Sequence, residues 1–294
     1  MGVAAVLPGP AFGGGCVEYI AARAMYSTHP LGNGGRLVPR SRAVYICNGE
    51  RSEMSLPEVV SREQWLAARK ALLAKEKELT RARDALNAER RRLPMVEITK
   101  PYVFTGPDGE ASLLDLFGGH LQLILGHMMF DPGWEDGCPS CSAGADEVSR
   151  GLVEHLHTRD TELVFVSRAP IEKLARWKAK KGWFFPWYSS HGSDFNYDFD
   201  VTLDSSVKPP EYNYRPFDPD AMGWEQPVEM PGTSYFLRTG DDVFHTYSTY
   251  ARGAEPTGGS YYWLDLTALG RQEGWEEPKG RSDSVRTATP DFAE

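Results

Sequence analysis

Residues 121–142 read LQLILGHMMFDPGWEDGCPSCS and contain the pattern that decides the fold. The apolar run 121–127 predicts a buried strand, and the C-x-x-C pair Cys138 and Cys141 follows it where a helix is predicted to begin. Three segments continue the alternation: a helix over 142–157, a second buried strand over 162–167, and a helix over 170–181 that ends at Gly182. This order of elements predicts a parallel α/β unit around the two cysteines.

The position of the C-x-x-C pair predicts thiol–disulfide exchange. A helix N-terminus presents unpaired N–H groups and the positive end of the helix dipole, and both favour a thiolate. Pro139 suits the first helical turn, where its missing N–H is not needed. We expect Cys138 to attack a substrate disulfide and Cys141 to resolve the mixed disulfide. Glu135 and Asp136 oppose this, because nearby negative charge raises a thiol pKa.

Structural zinc is the rival use of a C-x-x-C pair. Such a site usually needs four ligands. His127 is available as a third, but Cys16 and Cys47 do not form a second pair and no fourth ligand stands out. The sequence therefore predicts no metal and no other cofactor, with a redox-inert fold that retains two cysteines as a further alternative.

The long helix predicted over residues 61–93 begins with Ser61 and Gln64, a capping-box pattern. Large apolar residues recur in it every seven positions, at Trp65, Leu72, Leu79, Leu86 and Leu93. This stripe is typical of a coiled-coil dimer arm or of a helix that packs on its own domain. A coiled coil also needs large apolar residues at a second position of each heptad, but Ala68, Lys75, Ala82 and Glu89 stand there. This favours a helix that packs on its own domain, or one that makes a weak homodimer contact.

Four segments are expected: residues 1–53 as a disordered extension or a mis-assigned start before Met54, 54–99 as the long helix arm, 100–275 as the folded domain, and 276–294 as a loose tail. Within the domain, residues 234–238 and 243–247 flank a turn signal and predict a β-hairpin, and 261–266 predict a further strand. The aromatic-rich stretch 183–230 either lines a substrate groove or covers the sheet.

The net charge of −9 disfavours nucleic acid as a partner. The sequence contains no apolar run long enough to predict a membrane span, and its N-terminus lacks the features of a signal peptide. We therefore expect a cytoplasmic protein that has neither nucleic-acid nor membrane partners.

Seven segments together resemble an uncharacterised thioredoxin-like family whose members are labelled predicted dithiol-disulfide oxidoreductases (domain of unknown function 899). The resemblance spans roughly residues 55–275 and implies a thioredoxin-like, three-layer α/β/α fold with a long N-terminal helix and the aromatic-rich insertion. The resembling segments are 65–70 (WLAARK), 89–94 (ERRRLP), 114–117 (LDLF), 127–130 (HMMF), 137–142 (GCPSCS), 194–199 (DFNYDF) and 246–253 (TYSTYARG).

Thioredoxin itself is similar in placing a dithiol at a strand-to-helix junction. It carries a Trp directly before the first Cys, whereas Gly137 stands there in this chain and Trp134 lies upstream. It also carries a cis-proline before a later strand that faces the dithiol. Pro231 is the matching candidate, either as that cis-proline or as an ordinary trans loop proline. Peroxiredoxins place Pro and Thr or Ser at fixed distances before their reactive Cys, and neither cysteine here fits that register.

His127 ends the first predicted strand. It either lowers the thiol pKa or transfers a proton at the dithiol, or it is a buried histidine whose ring nitrogens are hydrogen-bonded. The favoured function is a thiol–disulfide oxidoreductase that needs a disulfide substrate and an external thiol reductant. The alternative is a redox-silent, thioredoxin-like binding or assembly protein.

Overall fold

The computed structural model describes residues 44–47, 50–53 and 56–257, together with the single residues 259, 267 and 279. The strand expected at 261–266 and the tail expected after 276 therefore lie outside the described residues, as does most of segment 1–53. Two short strands, β1 (Val44–Cys47) and β2 (Glu50–Glu53), pair antiparallel.

The long predicted helix is α1, Arg62–Arg90. Its capping box is formed, since the Gln64 backbone N–H donates to Ser61 Oγ (3.2 Å) and the Ser61 N–H donates to Gln64 Oε1 (3.0 Å). No residue of α1 is buried, and the side chains of the seven-residue stripe stand at the surface. The expectation that this stripe packs on its own domain is therefore wrong.

The strands that follow are β3 (Val96–Glu97), β4 (Val103–Gly106), β5 (Gly109–Ser112), β6 (Gln122–His127), β7 (Thr161–Ser167), β8 (Trp187–Ser189), β9 (Thr202–Leu203), β10 (Glu211–Tyr212), β11 (Arg215–Pro216), β12 (Val228–Glu229), β13 (Gly232–Thr239) and β14 (Asp242–Tyr250). The further helices are α2 (Pro139–Asp146), α3 (Arg150–His157), α4 (Ile171–Lys181) and α5 (Phe195–Asp198). Short 3-10 turns lie at Asp115–Phe117, Asp220–Met222 and Ala251–Thr257.

Eight strands form one mixed sheet in the order β3-β14-β13-β6-β7-β8-β4-β5. β6, β7 and β8 are parallel, whereas β13 pairs antiparallel with β6 and forms the predicted hairpin with β14. A βαβ unit is thus joined in one sheet to a β-hairpin, as in the thioredoxin-like core. The α/β, thioredoxin-like fold is confirmed by this topology.

One predicted helix is two helices in the structure. Residues 142–157 were expected to be continuous, but α2 ends at Asp146 and α3 begins at Arg150. Ser149 is the N-cap of α3, because its Oγ accepts a hydrogen bond from the Leu152 N–H (3.1 Å). The capping residue starts a second helix at this point.

The two faces of the sheet bury separate apolar clusters. The Phe195 face contains Leu123, Leu125, Val164, Val166, Phe195, Phe199 and Phe236. The Phe130 face contains Met128, Phe130, Ala145, Ala169, Leu174, Trp183, Phe185 and Trp187, with Cys141 packed against it. Side chains alternate between the faces along each strand, so helices α2 and α4 cover the Phe130 face while α5 covers the other.

The aromatic-rich insertion contributes to both faces. Trp183, Phe185 and Trp187 are buried on the Phe130 face, and Phe195 is buried on the opposite one. For these four residues the interpretation as a cover for the sheet is confirmed. No helix in the described part of the chain is long and apolar enough to cross a membrane.

Candidate functional site

Cys138 lies at the carboxyl end of the central strand, at the junction with α2. The loop after β6 returns so that the Cys138 N–H donates to the Met129 carbonyl (3.1 Å). Cys138 is the N-cap of α2, Pro139 occupies the first turn, and the Ser142 N–H donates to the Cys138 carbonyl (2.9 Å). The backbone N–H groups at this helix end point towards the Cys138 side chain.

The two thiols are free, partly exposed and electrostatically different. The Cys141 thiol donates a hydrogen bond to the Cys138 sulfur, and this contact contributes most to lowering the pKa of Cys138 to about 6. Burial opposes the effect, while the backbone N–H groups of Cys141 and Ser140 add to it. The pKa of Cys141 is raised well above its ordinary value by the same hydrogen bond and by burial. Of the two thiols, Cys138 therefore loses its proton at the lower pH.

The carboxylates before the dithiol have lysine partners on α4. Glu135 lies 3.8 Å from Lys173 Nζ, and Asp136 lies 3.7 Å from Lys180 Nζ. Neither carboxylate contributes to the pKa shift of Cys138. The opposition between these acidic residues and the helix N-terminus, expected from the sequence, is therefore not seen among the causes of the Cys138 pKa shift.

Gly137 is explained by Trp177 of α4. A Cβ on Gly137 would lie 2.9 Å from the indole Nε1 of Trp177 and 3.1 Å from its Cδ1. The same Nε1 donates to Ser142 Oγ (3.1 Å), which fixes the indole beside the first turn of α2. The absence of a side chain at residue 137 therefore leaves the space in which Trp177 packs against the dithiol loop.

Pro231 lies at the same edge of the sheet as the dithiol, but its peptide bond is trans. The cis bond among the described residues joins Gln226 and Pro227, so the cis-proline interpretation of Pro231 is wrong. Pro231 directly precedes Gly232, which pairs with His127 at the end of β6. This register brings the proline to the carboxyl end of the central strand.

Tyr212 links the Pro231 segment to Ala251, the residue that follows β14. Its hydroxyl donates to the Pro231 carbonyl (2.8 Å) and accepts from the Ala251 N–H (3.0 Å). Burial raises the pKa of Tyr212, and the Ala251 N–H opposes this shift. Tyr212 was grouped with the insertion aromatics in the sequence, and the structure assigns it to this edge.

His127 does not join the dithiol, because strand alternation turns it to the Phe195 face. Its ring stacks against Phe195 (centroids 5.7 Å apart), whereas Cys141 packs on the Phe130 face. Nε2 is hydrogen-bonded to Ser234 Oγ (2.8 Å), and Nδ1 is buried without a partner. Burial, with a smaller contribution from His245, lowers the pKa of His127 to about 3. A role for His127 in tuning the thiols is thus corrected to that of a buried core histidine.

Trp134 stands at the surface of the loop before the dithiol, with 38% of its area exposed. Its backbone N–H donates to the Asp131 carbonyl (3.0 Å), and its own carbonyl accepts from Lys173 Nζ (2.6 Å). The described contacts of Trp134 are thus made by its main chain.

A buried charge network at this edge was missed by the sequence reasoning. Arg168 directly follows β7 and pairs with Asp131 and with Glu229, the latter at 2.6 Å. Glu229 is 3% exposed and also accepts hydrogen bonds from Thr202 Oγ1 (3.0 and 3.1 Å). Burial raises the pKa of Glu229, although Arg168 opposes that shift. Asp131 and Arg168 each follow one of two neighbouring parallel strands. This position in the sequence was the signal from which their proximity could have been predicted.

Metal-binding side chains also come together in the described residues, at the opposite end of the strands. The cluster consists of His120, His157 and Glu162. It does not include either cysteine, so it is separate from the dithiol.

Residues 54–288 match the model of a family described as bacterial protein of unknown function (DUF899). None of the curated proteins matches the chain significantly.

Among solved structures, the chain is similar to the Xanthomonas campestris bacterioferritin comigratory protein, with 14% identity, a TM-score of 0.37, and coverage of 55% of this chain and 90% of that chain. It is similar to the Mycobacterium tuberculosis peroxidoxin BcpB, with 15% identity, a TM-score of 0.35, and coverage of 56% and 92%. A protein proposed to be a disulfide isomerase, from Bacteroides thetaiotaomicron, is 18% identical with a TM-score of 0.33 and coverage of 54% and 82%. With TM-scores this low, the fold assignment rests on the sheet topology itself.

Proposed function

The chain belongs to the family of bacterial proteins of unknown function (DUF899), and we propose that it is a thiol–disulfide oxidoreductase that acts through Cys138 and Cys141. The observation that carries the proposal is the opposite pKa shift of the two thiols, with Cys138 lowered to about 6 and Cys141 raised. At neutral pH, Cys138 is then a nucleophilic thiolate beside a protonated thiol.

The exchange proceeds in two displacements. The Cys138 thiolate attacks one sulfur of the substrate disulfide, the substrate S–S bond breaks, and one substrate thiolate leaves. Cys141 then loses its proton and attacks the Cys138 sulfur of the mixed disulfide, which releases the second substrate thiolate. Two electrons have passed to the substrate, and the protein holds a Cys138–Cys141 disulfide.

Pro231 and Tyr212 lie at the same edge of the sheet as the dithiol. In the proposal, the segment around Pro231 positions the substrate. The Pro231 carbonyl is held by the Tyr212 hydroxyl, which fixes the segment that precedes β13. Pro231 precedes β13, whose first residue pairs with His127 at the carboxyl end of β6, so in the proposal this segment borders the approach of a substrate to Cys138. We place Pro231 as a positioning residue and Cys138 and Cys141 as the catalytic pair.

Turnover in the reducing direction requires an external dithiol or glutathione to return two electrons to the Cys138–Cys141 disulfide. A thioredoxin or glutathione system of the cytoplasm, the compartment expected from the sequence, supplies this reductant in the proposal.

The second candidate function is binding or assembly without redox chemistry. The exposed apolar stripe of α1 favours it. Leu72, Leu79 and Leu86 are 51%, 59% and 53% exposed and repeat at seven-residue spacing. Such a stripe is suited to pairing with the same stripe of a second copy. We propose a homodimer through α1, which is compatible with either function.

The test of the exchange mechanism is a trapping experiment in a chain whose Cys16 and Cys47 are replaced by Ser. In this background, Cys141→Ser is expected to accumulate a stable mixed disulfide with glutathione disulfide, seen as one glutathione per chain in the intact mass. The matched Cys138→Ser variant is expected to form little or none. Equal trapping by the two variants, or no trapping by Cys141→Ser, would overturn the proposal.

A further inference from the structure

Three metal-binding side chains converge at the amino-terminal ends of β6 and β7. His120 lies just before β6, His157 is the last residue of α3, and Glu162 is the second residue of β7. Their ligand atoms all lie within 4.8 Å of one another. Cys138 follows the other end of β6, and six residues at about 3.3 Å each place the two edges about 20 Å apart.

Two of the distances between the donor atoms are close to those around one small ion. His157 Nε2 lies 3.2 Å from Glu162 Oε1, and His120 Nε2 lies 4.0 Å from Glu162 Oε2. Two ligands that each lie about 2.1 Å from a tetrahedral zinc ion stand about 3.4 Å from each other. The three ligand atoms all lie within 4.8 Å of one another, and the stacked rings of His120 and His157, with centroids 4.6 Å apart, would rotate to bind a common ion.

A second carboxylate, that of Asp160, orients the ring of His120. Its Oδ1 lies 3.3 Å from His120 Nδ1 and accepts a hydrogen bond from the Leu121 N–H (3.1 Å). A carboxylate on one ring nitrogen leaves the other nitrogen, here Nε2, as the metal ligand, and this is the usual arrangement around histidine ligands. The Asp160 carbonyl also accepts from the Gln122 N–H (3.0 Å), so the turn before β7 is fixed against the start of β6.

Glu162 has no Lys or Arg partner among the described residues. Its side chain is 12% exposed, and among the described residues its ion-pair partners are the two histidines, with no Lys or Arg. Gly118 leaves the space for this carboxylate, because a Cβ on Gly118 would lie 2.9 Å from Glu162 Oε2. A nearly buried carboxylate is expected to have a charged partner, and a bound cation supplies one.

We propose that His120, His157 and Glu162 form a binding site for a divalent transition-metal ion of the zinc class, with Asp160 as the outer partner of His120. Two imidazoles and one carboxylate suit zinc or iron(II) rather than magnesium or calcium. His157 is the most exposed of the three ligands, with 39% of its side chain accessible. The ion connects the end of α3 to the start of β7 and to the residue before β6.

The test uses the full chain with Cys138 and Cys141 replaced by Ser, so that the dithiol cannot contribute ligands. After treatment with EDTA, Zn²⁺ binding is measured by calorimetry, and Co²⁺ binding by its visible d–d absorption. One ion per chain is expected, together with a higher unfolding temperature in Zn²⁺. His157→Ala and Glu162→Gln are each expected to weaken binding by at least about tenfold, the effect of losing even an outer partner.

His155→Ala is the matched control, because His155 is exposed on the same helix and lies outside the cluster. It is expected to bind both ions as the parent does, and circular dichroism verifies that each variant is folded. The proposal would be overturned if the parent shows no saturable binding. It would equally be overturned if His157→Ala and Glu162→Gln bind as tightly as His155→Ala.

Discussion

The thiol of Cys141 donates its hydrogen bond to the sulfur of Cys138, and this contact separates the pKa values of two residues of the same type. The shared hydrogen bond stabilises negative charge on Cys138 and a proton on Cys141. Because the backbone N–H groups of Ser140 and Cys141 point to the first sulfur, the asymmetry is built into the start of α2. In the proposed exchange, this local geometry sets the order of attack by Cys138 and resolution by Cys141.

The rate at which Cys138 is alkylated by iodoacetamide should rise with pH through a midpoint of about 6 and then level off, because the thiolate is the reactive form. In Cys141→Ala the main hydrogen-bond donor is lost, so the midpoint should move up towards the ordinary thiol pKa of 9.0. Cys141→Ser retains an O–H donor and should fall between the two. A midpoint that is identical in all three chains would contradict the role of Cys141 as donor.

Gly137→Ala should destabilise the protein by roughly 1–3 kcal/mol, because the added methyl group overlaps the indole of Trp177. Gly144→Ala is the matched control: it lies within α2, and a Cβ there meets nothing within 4 Å. This control should be neutral, or stabilising by up to about 1 kcal/mol, from helix propensity. Urea unfolding measures both, and equal effects would show that the Trp177 contact does not restrict residue 137.

Removing one member of the Arg168 network should cost about 3–5 kcal/mol, since Arg168→Met leaves the buried Glu229 without its cation. Glu229→Gln combined with Arg168→Met should cost less than the sum of the single changes. The exposed pair Asp136–Lys180 serves for comparison, and Lys180→Ala should change the free energy of unfolding by less than about 1 kcal/mol. Additive single effects would argue that Arg168 and Glu229 act independently.

His127 should make the protein sensitive to acid. Its pKa is about 3 in the folded chain and near 6.5 in the unfolded chain, so the unfolded state binds more protons between these values. This contribution to stability is complete above pH 6.5 and falls by about 1.4 kcal/mol for each pH unit below it. His127→Leu should flatten the loss of stability between pH 6.5 and pH 4, whereas His155→Ala should not. The same slope in all three chains would contradict this assignment.

Replacing Leu72 and Leu79 of α1 with Gln should convert a dimer to a monomer in light scattering, because these side chains form the exposed stripe. Replacing Lys70 and Lys77, which lie on the same helix outside the stripe, with Gln is the matched control and should leave the dimer intact. The assignment of the stripe as a dimer contact fails if the parent chain is monomeric at high micromolar concentration.

The central part of the fold was predictable because it rests on strong local patterns. The apolar run before Cys138 and the turn at residues 239–242 are read directly from hydrophobic periodicity and turn chemistry. Ser149 was not recognised as a cap, so the break between α2 and α3 was missed. The strands β4, β5 and β8 are short and carry little pattern of their own, and their place in the sheet depends on tertiary pairing.

The candidate site was predictable only in its cysteines. Successive side chains of β6 point to opposite faces of the sheet, so the orientation of His127 depends on which face each position takes. The sequence alone does not say which of the two faces carries the dithiol. Pro231 was correctly associated with the strand beside β6, but its isomer is set by tertiary context. Tyr212 and Glu229 lie far from the dithiol in sequence, and only the fold brings them to its edge.

The reduction potential of the Cys138–Cys141 couple tests the central claim most directly. It is measured by equilibrating the chain in glutathione buffers and trapping free thiols, with Cys138→Ser as the control that cannot form the disulfide. We expect one two-electron transition between about −120 and −270 mV, the range of working dithiol oxidoreductases. If no disulfide forms in oxidising buffer, the exchange mechanism is contradicted.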